Sequence, residues 1–265
     1  MEIPWISLII PTHLRGQYLK RALESVNLQK HRHNIEVIVI SDLSDEVTDN
    51  VARLLLGEND VYIRRNGLCG PAESRNLGLQ LAKGKFVMFL DDDDAWHPDF
   101  SSELFKKIND LSVNVAYMNC VVVKESRHKT GPKKISEVEM NLNGLLNFDV
   151  YVKNQVHMSC YLFSKNIVRG LLFDSTLRGY EDWDFQLAVI DREMPTHLPI
   201  ICSYVYEVDD ATTDRRGASA GATGFNAVLD YLTIYRRHIA PDEITKIKRT
   251  KLLEFAGLSI DQSFL

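Results

Sequence analysis

The sequence predicts an α/β protein built on a mostly parallel, Rossmann-like sheet flanked by helices. Three observations support this. Short apolar runs at residues 6–10 (ISLII), 35–40 (IEVIVI) and 86–90 (FVMFL) read as strands buried on both faces. Between them, apolar residues recur at helical spacing. The chain has 265 residues, 45% of them hydrophobic and 25% charged, which suits a soluble globular protein with a substantial core.

The elements follow in order. Pro11 stops the first strand, and Leu19, Ala22, Leu23 and Val26 then mark one face of a helix. After the second strand, Val47, Val51, Leu54 and Leu55 mark another helix. Residues 61–63 form a brief third strand. Pro71 suits an early position of a third helix carrying Leu77 and Leu81. Lys83, Gly84 and Lys85 turn the chain into the fourth strand. Such alternation implies right-handed crossovers, and ligands bind such sheets beyond the carboxyl ends of the strands. Those ends carry Pro11-Thr12, Ser41-Asp42 and Asp91-Asp92-Asp93-Asp94.

The second half is less regular. Residues 114–123 read as a strand, 124–139 as a polar, mostly basic surface loop, and 156–163 as another strand. Residues 181–190 read as a helix. Residues 216–223, rich in small side chains, are expected to be mobile. Phe225, Val228, Leu229 and Leu232 define a helical face, and Pro241 opens a final helix through about Phe255.

Composition excludes several classes. Lys plus Arg is 31 and Asp plus Glu is 36, a net charge of −5, whereas a general nucleic-acid binder needs a basic surface. No apolar run approaches the ~18 residues of a membrane span, and the first residues lack a signal-peptide pattern. Cys69, Cys120, Cys160 and Cys202 form no CxxC pair, which disfavours a zinc site or a disulfide scaffold. Free thiols in a reducing cytoplasm are the expectation.

The aspartates after the fourth strand are the most informative feature. Four adjacent carboxylates repel one another and raise their own pKa values unless something neutralises them. Hard divalent cations, Mn²⁺ or Mg²⁺, do so and keep positions open for phosphate oxygens. The bland reading is an acidic helix cap. A second acidic pair, Glu181-Asp182, opens the 181–190 helix. The positive end of the helix favours an ionised carboxylate able to accept a proton, although simple capping also explains an acid there.

These segments together resemble family 2 glycosyltransferases with the GT-A fold. The resemblance rests on Ser7-Leu8-Ile9-Ile10-Pro11-Thr12, on Ser41-Asp42-Leu43-Ser44, and on Ala72-Glu73-Ser74-Arg75-Asn76-Leu77-Gly78. It extends to Phe89-Leu90-Asp91-Asp92-Asp93-Asp94-Ala95-Trp96, Phe173-Asp174 and Glu181-Asp182-Trp183-Asp184. It implies an inverting enzyme that moves a sugar from a nucleoside-diphosphate sugar, a UDP-sugar in the first instance, to an acceptor hydroxyl. Pro11, Thr12 and Asp42 would line the base pocket, and Arg15 and Arg75 would reach the nucleotide. Asp91 and Asp92 would approach the ribose and metal, with Asp93 the main metal ligand and Asp91 beside it. Asp182 would be the general base and Glu181 would fix the acceptor. Two departures stand out: Ser41 and Leu43 replace the usual Asp and Gly, and the family's late His is missing after Tyr206, where Asp209 could substitute as a metal contact.

The resemblance also implies one GT-A domain over residues 1–215, with a nucleotide half (1–95) and an acceptor half (96–215). Residues 216–265 would add a mobile loop and C-terminal helices packed on the body. The acceptor could be a saccharide, a lipid-linked saccharide or a protein, met in the cytoplasm or at the inner face of the membrane. A homodimer through the last helices is a further expectation. Lys124, Arg127, Lys129, Lys133 and Lys134 read as a solvated basic loop, or as a contact for an anionic acceptor or a membrane surface. His157 reads as structural, and Arg215 and Arg216 as a phosphate clamp or an idle loop. Two other functions stay open: a non-catalytic sugar-nucleotide binding module and a nucleotidyltransferase. The latter lacks the Gly-rich phosphate loop it would need after the first strand.

Overall fold

The computed structural model describes residues 3–43, 45–108, 113–128, 131–177, 179–208, 224–261 and 264–265. The first half follows the predicted alternation. Strands β1 (Ile6–Thr12), β2 (Ile35–Ser41), β3 (Val61–Arg64) and β4 (Phe86–Phe89) alternate with helices α1 (Gly16–Asn27), α2 (Glu46–Leu55) and α3 (Pro71–Leu81). All pairings among these four strands are parallel, in the order β3-β2-β1-β4. Leu8, Ile9, Ile10 and Val37 through Ile40 are fully buried, as unbroken apolar runs require. Each such side chain contributes about 1.5–3 kcal/mol by leaving water.

Local chemistry fixes the ends of these elements. Asp45 caps α2 by accepting from the Thr48 amide at 2.9 Å. Buried Glu36 accepts from the amides of Lys83 (2.6 Å) and Gly84 (3.2 Å), so the turn into β4 is held to the start of β2. At Gly78 a Cβ would lie 2.4 Å from Ile9, so only glycine lets α3 press this closely on β1.

Beyond the short β5 (Ala95–Trp96) and helix α4 (Phe100–Ile108), the second half continues the same sheet. Strands β6 (Val115–His128), β7 (Gly131–Met140), β8 (Tyr161–Ser164) and β9 (Thr196–Val208) extend the order to β3-β2-β1-β4-β8-β6-β9-β5, with β7 on β6. Here directions are mixed: β8 is antiparallel to β4 and to β6, β7 is antiparallel to β6, and β9 is parallel to β6. Helix α5 (Glu181–Ile190) has the predicted bounds. Helices α6 (Gly224–Arg237) and α7 (Glu243–Phe255) form a smaller core with α5, built on Trp183, Leu187, Tyr235 and Leu253.

Several expectations are corrected. Within the 124–139 stretch, expected as a loop, residues 124–128 end β6 and 131–139 belong to β7, which pairs with it; Lys129 lies outside the described residues, and the polar composition reflects β7's exposed position at the side of the sheet. The 156–163 strand is shorter: Met158–Cys160 is a 3₁₀ turn and pairing begins at Tyr161. Pro241 lies before the last helix, which Asp242 caps by accepting from the Thr245 amide at 2.7 Å. Strand β9 was not anticipated. The 216–223 segment lies outside the described residues, as do Asp209, Arg215 and Arg216.

Candidate active site

The strand order reverses at β1, flanked by β2 and β4, and sheets of this kind bind ligands beyond the carboxyl ends of the strands at such a point. The four aspartates after β4 alternate in direction. Asp92 turns inward, 4% exposed, accepting from Thr12 Oγ1 at 2.7 Å and from Arg15 Nη1 at 3.3 Å. Asp94 turns inward too, accepting from Ser159 Oγ (2.9 Å) and the Tyr206 amide (3.0 Å). Asp91 and Asp93 stay accessible, with side chains 45% and 19% exposed. Burial, then the neighbouring acids, pushes Asp92 up to about 7 despite Arg15 and Thr12. Asp94 rises for the same reasons. Asp92 is thus held against Thr12 and Arg15 at the ends of β1 and β4.

Arg75, on α3, is buried between two acids. Its Nη2 lies 2.8 Å from Asp91 Oδ1 and its Nη1 lies 2.8 Å from Glu181 Oε1. Burial works against its charge, but Asp91, Glu181 and Asp182 hold its pKa above the ordinary value. Arg75 thus ties the end of β4 to the start of α5, with its side chain 5% exposed.

Helix α5 begins sharply. Tyr180 adopts the left-handed region at φ 61°, which is uncommon for a non-glycine residue, and its ring packs edge-on against Trp183 and Tyr231. The next two residues are Glu181 and Asp182. Asp182 accepts from the Trp183 amide at 2.8 Å and from Asn154 Nδ2 at 3.3 Å. Burial, with Glu181 and Asp91 nearby, raises it to about 6, against the opposing pull of Arg75 and the amide. Helix-end reasoning alone favours a readily ionised acid; the acidic surroundings outweigh it. A carboxylate titrating there suits a general base near neutral pH.

At the end of β2, Asp42 is buried. One of its oxygens lies 2.6 Å from His13 Nδ1, and the other accepts from the Gly70 amide at 2.6 Å. Arg65 Nη2 is 3.8 Å from the same carboxylate. Pro11 is buried in β1, opposite Ile40 of β2. His13, Arg65 and Gly70 were not singled out in the sequence; the position of His13, directly after the polar end of β1, was the available signal. His13, Asp42 and Cys69 also bring N, O and S donors within 4.8 Å of one another, the one such trio among the described residues. His157 is exposed beside a 3₁₀ turn.

Arg127 is the principal residue that sequence reasoning misplaced. From β6 its Nη2 reaches Asp93 Oδ2 at 2.9 Å, and its Nε reaches Glu125 at 2.9 Å. Arg15 Nη1 lies 3.4 Å from the same Asp93 oxygen, and Arg21 donates to the Asp93 carbonyl. Asp91 and Asp93 offer hard oxygen ligands that fit Mn²⁺ or Mg²⁺. Two carboxylates do not complete a coordination shell, which leaves room for the phosphate oxygens and waters these cations favour.

The sheet, its switch point at β1 and the acids gathered beyond the strand ends define a GT-A type of architecture. Residues 7–169 match Glycosyl transferase family 2, and the chain belongs to that family. One relative is the GalNAc(5)-diNAcBac-PP-undecaprenol beta-1,3-glucosyltransferase of Campylobacter jejuni. It is 35% identical over 126 residues, spanning 46% of this chain but only 40% of that enzyme. An uncharacterised glycosyltransferase of Haemophilus influenzae is 27% identical over 86% of this chain and 75% of its own. Among solved structures, S. aureus TarS 1-349 in complex with UDP-GlcNAc superposes with a TM-score of 0.68 at 18% identity, covering 96% of this chain and 73% of that one. The mannosyltransferase PcManGT of Pyrobaculum calidifontis, in complex with GDP-Man and Mn²⁺, gives 0.62 at 17% identity, covering 97% and 74%. No helix among the described residues is long and apolar enough to cross a membrane.

Proposed function

We propose that this chain is an inverting glycosyltransferase that moves a sugar from a nucleoside-diphosphate sugar, a UDP-sugar in the first instance, to an acceptor hydroxyl. One observation carries the reading: Arg75 bridges Asp91 and Glu181, so the acids after β4 and those opening α5 lie side by side. Leaving-group stabilisation and proton removal are then available on either side of a sugar carbon.

In this reading Pro11, Thr12 and Asp42 line the base pocket, with Arg15 beside the phosphates. Asp93, assisted by Asp91, would hold Mn²⁺ or Mg²⁺, whose charge offsets that of the departing diphosphate. Asp182 takes the proton of the acceptor hydroxyl as its oxygen bonds to the anomeric carbon, and the bond to the diphosphate breaks on the opposite face. Glu181 orients the acceptor. Arg75 positions Asp91 and Glu181 by holding both carboxylates. Residues 1–215 form the transferase domain. The name of the Campylobacter relative supports a lipid-linked saccharide as acceptor.

The test is a donor screen by hydrolysis with and without Mn²⁺, joined to calorimetric titration with UDP and GDP. Metal-dependent binding of one diphosphate, and release of sugar from its conjugates, is the expected result. Failure of both nucleotides to bind at any metal concentration would remove the reading.

A further inference from the structure

Resting on the donor reading above, we propose that Arg127 is a donor-binding residue: it holds the diphosphate of the nucleotide sugar and pairs with Asp93 when no donor is present. The argument starts from its setting. Arg127 comes from the β6–β7 hairpin, far in sequence from the motifs at the ends of β1, β2 and β4, yet its side chain is 7% exposed and ends on the aspartate proposed to lead the metal site. Its plane is fixed on two sides. Nε is tied to Glu125 at 2.9 Å, and the guanidinium lies over the Tyr18 ring, 4.3 Å from its centroid. Glu125 is held in turn by Arg21 at 2.8 Å, and Arg21 stacks 3.4 Å over Tyr206.

Nη2 of this fixed fork points at Asp93, and Nη1 has no hydrogen-bond partner among the described residues while remaining accessible to water. A guanidinium anchored through Nε, with Nη1 unpaired and Nη2 resting on Asp93, has an Nη1–Nη2 edge that matches the bidentate geometry by which arginine reads phosphate oxygens once Asp93 is exchanged for the donor. Arg15, just before α1, lies against the same Asp93 oxygen, so two guanidiniums converge where a diphosphate sharing that carboxylate's cation would arrive. Without donor, the pair keeps Asp93 from standing as an uncompensated charge.

The proposal separates two bindings that a purely structural arginine would move together. In Arg127→Gln, calorimetric affinity for UDP (with GDP titrated in parallel) falls tenfold or more, while uridine, followed by ligand-detected NMR, binds as to the wild type. Mn²⁺ alone, followed by its electron paramagnetic resonance signal, binds no more weakly than before, because a competing cation has gone. Arg127→Lys keeps the charge and the fold but not the fork, and loses several-fold in UDP affinity. Unchanged diphosphate affinity in both variants overturns the proposal while leaving the donor reading intact. So does a parallel loss of UDP, uridine and Mn²⁺, which would make Arg127 a local support only. A wild-type chain that binds neither UDP nor GDP overturns both readings.

Discussion

Arg75 and Arg249 are both buried, and their surroundings differ in kind. Arg75 ends on two carboxylates, Asp91 and Glu181, at the rim of the cleft. Arg249, on α7 and fully buried, donates only to main-chain carbonyls: those of Tyr151 (2.9 Å), Tyr235 (3.3 Å), His238 (2.8 Å) and Leu265 (3.0 Å). The first is held above the ordinary arginine value by its acids, against burial; the second is lowered to about 10, chiefly by burial. Carbonyls satisfy the donors of a guanidinium without answering its charge, so Arg249 stitches the C-terminal helices together. Carboxylates answer the charge, and Asp91 is left half open to solvent. Where a chain collects buried acids around a cation and leaves one of them accessible, it is set up to bind something.

That contrast can be broken from the cleft side first. Asp182→Asn is expected to lower turnover roughly a thousandfold, the scale of a lost general base. Donor binding by calorimetry should hold. The wild-type rate should rise with pH through about 6 as Asp182 ionises. Turnover equal to the wild type in the Asn variant would take the proton-accepting role from Asp182.

Arg75→Met comes next. With Asp91 and Glu181 no longer joined, both drift from position, and turnover should fall roughly a hundredfold, as for an ångström-scale misplacement. Arg249→Met should do the reverse. Four carbonyls lose their donor inside the smaller core, which costs about 3 kcal/mol and lowers Tm by about 6–12 °C for a chain of this size. Turnover per folded molecule should not change. An Arg249 variant as stable as the wild type, by thermal melting, would erase the distinction between the two arginines.

The smallest effect sharpens the comparison through pH. His238 sits between Asp184 (3.2 Å) and Asp191 (2.7 Å). Arg237 also faces Asp184, Tyr151 faces Asp191, and Arg249 holds the His238 carbonyl. Burial lowers its pKa, but the two aspartates outweigh this and raise it above 6.5. The stabilisation is therefore complete below the unfolded value and is lost as pH rises through the folded one. Melting temperature should decline over that window, and His238→Gln should flatten the slope. A wild-type Tm that climbs there would show the pairing is not made.

The parallel half was legible because β1, β2 and β4 are buried on both faces, so Ser7 and Glu36 alone interrupt the apolar runs at 6–10, 35–40 and 86–90. The bounds of α5 could be read for a related reason: two acids at its start and a run of apolar residues to Ile190. Strand β7 was hidden because nine of its ten residues are exposed, and its sequence reads as surface. Strand β9 was hidden by Pro199, which cannot donate to a ladder; its pairing with β6 slips there, from Met118–Leu198 to Asn119–Ile201. Missing these strands also concealed Arg127 and the Tyr206 amide that fixes Asp94.

Chemistry local to the chain settled which acids cluster and where strands and helices alternate, since hydrophobic period and like-charge repulsion act between near neighbours. Packing alone decided which aspartates turn inward, which arginine answers which carboxylate, and that burial among other acids raises the pKa of Asp182. Those outcomes depend on desolvation and on charges brought together from positions as far apart in sequence as Arg75 and Glu181, and such proximity exists only once the sheet has closed.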